Sequence, residues 1–175
     1  RYEGGIREIL PNRTLTNIAR RRLQQLNDIQ YSEDERKFAA RLQLHLTEPL
    51  SLESLSRVED VDGTIGKGST DVGDVSWVVP TTGFTTACWV PGTPAHSWQA
   101  VAAGGTTIGE KGLHLAARTL ATTAVDMIRS PDILHQAAEE LNQRSGLRRH
   151  ETLMQPGQKP PLDYRNPPRI SGPAN

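Results

Sequence analysis

Between helix-patterned segments on either side, the chain leaves room for only two interior strand-like runs, residues 75–79 (VSWVV) and 85–90 (TTACWV). That is the tightest constraint on its fold. Both runs are rich in β-branched and aromatic residues and are bounded by Gly and Pro, which predicts two strands. A lone pair of strands is marginal in water, and each strand leaves a row of unpaired backbone groups along its outer edge. The order helix, helix, strand, strand, helix, helix therefore points to an α/β chain that is incomplete alone and joins a sheet whose other strands lie elsewhere.

The helical segments are read from period and punctuation. After a short apolar run at 2–10, which predicts a strand, Pro11-Asn12 breaks the chain. Leu15, Ile18, Ala19 and Leu23 then recur at helical spacing, with Thr14 or Thr16 as the cap. Ser32 and Glu35 form a capping-box pattern ahead of the stripe Phe38, Ala39, Leu42, Leu46, which ends before Pro49. Residues 98–108 read as a loop containing Gly104-Gly105. A long helix follows at about 109–128, with Leu113, Ala116, Ala117, Leu120, Ala124, Met127 and Ile128 as its apolar stripe. Ser130-Pro131 opens a last helix that stops at Ser145-Gly146. From Gln155 onward the density of prolines forbids regular structure and predicts an extended tail or strap.

Composition removes several function classes. Twenty basic residues balance twenty acidic ones, so no net field draws the chain to nucleic acid or an anionic membrane. Arg20-Arg21-Arg22 reads as a solvated helix face. The longest apolar runs are too short to span a bilayer. The single cysteine, Cys88, excludes an internal disulfide and a Cys-based zinc cluster, and fits a cytoplasmic setting. The opening Arg-Tyr-Glu, without Met or a signal-peptide layout, is expected of a fragment or a processed product. The segment VEDVDG places Glu59, Asp60 and Asp62 close together, but without the spacing and terminal Glu of a calcium loop it reads as a surface connection.

Three features converge near the two runs. GSTD ends in Asp71 just before the first, PGTPAH ends in His96 just after the second, and AAGGTTIGEKGL opens the long helix. If the runs pair as a hairpin, Asp71 and His96 lie toward one end, where a carboxylate can hold an imidazole in the orientation a metal needs. Gly104, Gly105 and Thr106 stand at a Gly-rich helix start whose backbone N–H groups suit a substrate carboxylate. One His and one Asp are not a metal site, because zinc takes three or more protein ligands. A plain loop histidine is the competing reading. His45, His114 and His135 read as boundary, surface or packing residues. Trp77, Trp89 and Trp98 read as core or pocket wall, or as a bed for an aromatic substrate, and Cys88 as a buried small residue.

The order LPNRTL, GSTDVGDVSWVVPT, CWVPGTPAHSWQ and IGEKGLHLAARTLA resembles the C-terminal part of the aminoacylase and carboxypeptidase-like metallohydrolases, closest to the p-aminobenzoyl-glutamate hydrolase group of amidohydrolases. The resemblance runs from residue 1 to about 165. It implies a zinc-peptidase-like catalytic domain with a central sheet flanked by helices over 13–154. Residues 1–12 would be the last strand of an inserted ferredoxin-like dimerisation domain, and 155–175 a Pro-rich tail ending in the family-like PPLDYR. It further implies a two-metal site (Zn or Mn), with His96 as the C-terminal ligand and Asp71 near it as an orienting carboxylate. The reaction implied is hydrolysis of an amide bond in an N-acyl or aminobenzoyl amino acid by a homodimer.

The rest of the family's ligand set is missing. Neither the His-x-Asp or Cys-x-His pair nor the Glu-Glu pair at its expected place is present, and Glu139-Glu140 falls in the last predicted helix. On the resemblance, the chain needs the N-terminal half of a catalytic domain, in cis or in trans, and is inactive alone. The alternative is a docking module with no chemistry of its own.

Overall fold

The computed structural model describes residues 5–60, 63–64, 66, 68–146, 151, 155–160, 162 and 165. It consists of helices α1 (Arg13–Leu26), α2 (Glu33–Gln43), α3 (Val72–Ser76), α4 (Trp98–Gly104), α5 (Thr107–Arg129) and α6 (Pro131–Ser145). A 3-10 turn, Leu52–Ser56, lies between α2 and α3. The expected α/β architecture with a central sheet is not what these residues form. Their β-structure amounts to one isolated parallel bridge, Pro11 to Thr81, where the Asn12 N–H donates to the Thr81 carbonyl at 2.8 Å.

The two strand expectations fail for different reasons. Residues 75–79 lie in α3 and the turn after it. There Ser76, fully buried, donates its hydroxyl to the Gly73 carbonyl at 2.5 Å and accepts from the Leu10 N–H at 2.9 Å. Asp74 accepts from the Arg7 N–H at 3.1 Å. Residues 7–10 are thus held to α3 by side chains where the sequence suggested a strand. A Cβ at Gly73 would collide with the Arg7 carbonyl, so this approach requires glycine. Residues 82–89 carry no regular structure and have no ladder partner among the described residues, and a strand is defined by such a partner.

Four helices stand close to where period and caps put them. The capping box of α2 is present, with Ser32 and Glu35 bonded reciprocally. Helix α1 is capped by Asn12, whose side chain accepts from the Leu15 N–H, and not by Thr14 or Thr16. The last helix begins with Pro131 in its first turn and ends at Gly146, which is left-handed with φ 66°. Residues 98–104, expected as loop, are helix α4, started by Ser97 accepting from the Ala100 N–H.

Two packed regions share α5. Leu15, Ile18, Ala19 and Leu23 are the buried face of α1, which lies against α5 and α6. Ala39, Leu42, Leu52, Val90, Ala103 and Ile108 form the other cluster, with Tyr31, Phe38 and Leu46 against it. On α5 the buried residues are Ile108, Gly109, Gly112, Leu115, Thr119 and Thr123. None of the seven residues expected as its apolar stripe is buried, and Leu113, Leu120 and Ile128 are 64%, 61% and 77% exposed. Small residues decide this. A Cβ at Gly109 would strike the Gly104 carbonyl, and one at Gly112 would strike the Ala87 carbonyl and Cys88 Sγ. Helix α4 and residues 87–88 therefore close onto the glycine face. No helix among the described residues is long and apolar enough to cross a membrane.

Candidate functional site

The turn at 91–97 sets the position of His96. Gly92 is left-handed, with φ 86°, and a side chain there would meet the Glu48 carbonyl. The Thr93 N–H donates to the Val90 carbonyl at 3.1 Å, and the Leu50 N–H donates to the Pro91 carbonyl at 3.3 Å. Ser97 donates to the Pro94 carbonyl at 2.7 Å while its oxygen caps α4. Between the Pro94-fixed stretch and this cap, His96 takes φ 59°, the one positive φ on a non-glycine residue among those described. For an L-residue with a Cβ that conformation costs about 1 kcal/mol, and such strain persists only where the surroundings impose it. The imidazole is exposed.

Asp71 stands at the N-cap of α3, exposed and making no side-chain cap bond. Among the described residues it shares no hydrogen bond or ion pair with His96. No group of three or more His, Cys, Asp or Glu among them could hold a metal ion. Gly104, Gly105 and Thr106 form the corner between α4 and α5. Thr106 is used up in that corner: its hydroxyl donates to the Ala103 carbonyl at 2.6 Å and its oxygen accepts from the Ile108 N–H at 3.3 Å.

A polar cluster that sequence reading missed lies one turn further along α5. Glu35 is nearly buried and accepts from Lys111 Nζ, the Thr107 hydroxyl and the Ser32 N–H, each at 2.6 Å. Burial pushes its carboxyl up, and the bonds from Lys111, Thr107 and Ser32 more than offset this, leaving its pKa at about 2. Lys111 also donates to the Gln30 carbonyl at 2.8 Å and lies 5.5 Å from the Tyr31 ring. Burial, with the charge of Glu35, raises the Tyr31 phenol above its ordinary value. The capping-box motif announced one bond of Glu35; nothing local announced that both its oxygens reach α5, Oε2 to Lys111 and Oε1 to Thr107.

The remaining acids, histidines and aromatics lie elsewhere in the fold. Glu140 caps α1 from α6, accepting from the N–H groups of Arg13 (2.7 Å) and Thr14 (2.9 Å) and from the Thr14 hydroxyl (2.8 Å). Burial raises its pKa, and these bonds outweigh burial and lower it. The expected solvated face of α1 is partly engaged, since Arg22 pairs with Asp126 of α5 and Arg20 with Asp60. Asp62 lies outside the described residues, as do 1–4 of the expected first strand and most of the Pro-rich tail, including much of PPLDYR. His114 and His135 are exposed, and the exposed His45 sets its ring edge-on to Trp98, centroids 5.6 Å apart. None of the tryptophans is core. Trp77 donates to the Glu8 carbonyl at 3.0 Å beneath Arg7, and Trp89 and Trp98 are exposed. Cys88 is half-buried against Gly112. A cleft of about 680 Å³ opens between α1, the 3-10 turn and residues 81–87, with Tyr31 and Leu115 on its wall. His96, Asp71 and the 104–106 corner do not line it.

No family model matches the chain, and no solved structure matches it significantly. It is 31% identical over 169 residues to a subunit of the p-aminobenzoyl-glutamate hydrolase of Escherichia coli (strain K12). The match covers 82% of this chain and 35% of that protein, so the chain spans about a third of its relative's length.

Proposed function

From the premise that this chain is related to the p-aminobenzoyl-glutamate hydrolase group of amidohydrolases, we propose that it contributes one part of a metal-dependent amidohydrolase. The reaction is hydrolysis of the amide bond of an N-acyl or aminobenzoyl amino acid, a small-molecule substrate. The observation that carries this reading is His96: the resemblance marks it as a metal ligand, and in the fold it alone among described non-glycine residues accepts a left-handed backbone. Strain of that kind, imposed by a braced turn on an exposed imidazole, suits a side chain presented for a purpose.

The residues present do not by themselves fit a metal. One imidazole is short of the three or more protein ligands that zinc takes, and no described cluster supplies the others. The ion, zinc or manganese, is therefore proposed to be held between His96 and ligands on polypeptide outside these 175 residues. This chain's own work is to hold the braced turn rigid, to present the imidazole outward, and to shape one wall with the 104–106 corner. Asp71 acts as an orienting carboxylate only in the assembled enzyme. The relative's designation as a subunit supports a partner chain; a homodimeric, cytoplasmic enzyme is the arrangement proposed.

The test is made on the chain assembled with the polypeptide it lacks, with p-aminobenzoyl-glutamate as the probe. Replacing His96 by Ala should abolish amide hydrolysis and lower bound metal; unchanged rate and metal content would end the assignment. The second reading, a docking module without chemistry, is favoured by the bare apolar face of α5. It predicts that assembly survives while no His96 variant alters any rate.

A further inference from the structure

The longest helix presents its most apolar stripe to solvent. Leu113, Ala117, Leu120, Ala121, Ala124 and Ile128 fall on one side of α5, about 140° around the axis from the buried glycine and threonine face at 100° per residue. Leu113, Leu120 and Ile128 are each more than three-fifths exposed. Glu110 falls within the span of the stripe at its N-terminal end, and one edge is bordered by His114, Val125 and Arg118. Along the other, only half-buried Ala116 and Met127 separate it from the buried face. Apolar surface thus continues round that flank into the packed interior, and a helix apolar on so much of its circumference is built to be covered on more than one side.

We propose that this stripe is the docking surface for the polypeptide corresponding to the part of the relative that the chain does not match, an apolar surface closing onto α5. The inference rests on the reading of the chain as one part of a larger amidohydrolase. Length argues for this occupant: the match leaves about two-thirds of the relative unaccounted for. The stripe is also clear of the residues proposed to serve the metal and the substrate, so docking and chemistry can be separated by mutation.

The experiment uses this 175-residue chain and, as a separate polypeptide, the unmatched part of the Escherichia coli relative. The triple variant L113E/L120E/I128E changes only exposed side chains, so the isolated chain should keep its helicity and its Tm. Wild-type chain is expected to co-elute with the added polypeptide, and the variant to bind it at least ~10-fold more weakly, a loss of the size that central apolar contacts carry. Absence of a complex, a complex indifferent to the variant, or unfolding of the isolated variant would overturn the proposal. So would a dimer of the chain alone that the variant dissolves, which would make a second copy the occupant. A stripe-dependent complex without amidase activity would remove the hydrolase reading and leave this one standing.

Discussion

His96 sits in a backbone conformation that glycine adopts freely and histidine does not, at φ 59°. H96G should therefore raise the stability of the isolated chain by about 1 kcal/mol, seen as a higher midpoint in urea, while H96A, which keeps a Cβ, should not. A stabilising substitution that costs the assembled enzyme its activity is the expected signature of strain retained for function. Thr119 raises the converse issue. It is fully buried on α5, and its hydroxyl and that of Thr123 find no hydrogen-bond partner among the described residues. T119V keeps the shape and removes the unsatisfied group, and should stabilise the chain by about 1 kcal/mol in the same assay. Neither feature is legible in the sequence. A Pro-Gly-Thr-Pro-Ala-His string announces a turn but not the sign of φ at its end, and a threonine in a helix does not show which neighbour will cover it.

At the level of elements, α2 and α5 are joined by the Glu35–Lys111 pair, 2.6 Å apart and nearly buried on the carboxylate side. Removing only the cation by K111M strands the carboxylate and should cost about 3 kcal/mol, measured by chemical denaturation at neutral pH. The pH dependence has a definite sign. Glu35 titrates at about 2 in the fold against an ordinary 4.5, so its contribution is whole above about pH 4.5 and is lost as pH falls through 2. E35Q should flatten that acid limb of the stability profile. Gly112 makes a second element-level joint: G112A should destabilise by about 1–3 kcal/mol, because its Cβ would meet the Ala87 carbonyl and Cys88 Sγ. The same joint explains what the sequence concealed. The existence of α1, α2, α5 and α6 was legible from helical period, the α2 capping box and the Pro131 and Gly146 stops, although the cap of α1 is Asn12 and the period of α5 marked its exposed face. Which of α5's two faces is buried was not legible, since Gly109 and Gly112 win it by allowing close approach and not by being apolar. Residues 75–79 and 85–90 have strand-forming side chains, yet pairing partners decide a strand and these residues find none among the described residues. The short α4 was missed because its cap at Ser97 is its only local signal.

For the whole molecule, the apolar stripe of α5 and the exposed His96 are two surfaces that nothing in the described residues covers, and the segment beside the 680 Å³ cleft has no strand partner among them. The relation to a protein about three times as long gives them a common explanation. The most direct test is metal content, by elemental analysis after gel filtration, of the chain alone and of the chain assembled with the unmatched part of its relative, each with His96 and with H96G. Stoichiometric zinc or manganese is expected in the assembled His96 form alone. A metal retained equally by the H96G assembly, or held by the isolated chain, would contradict the role given to His96.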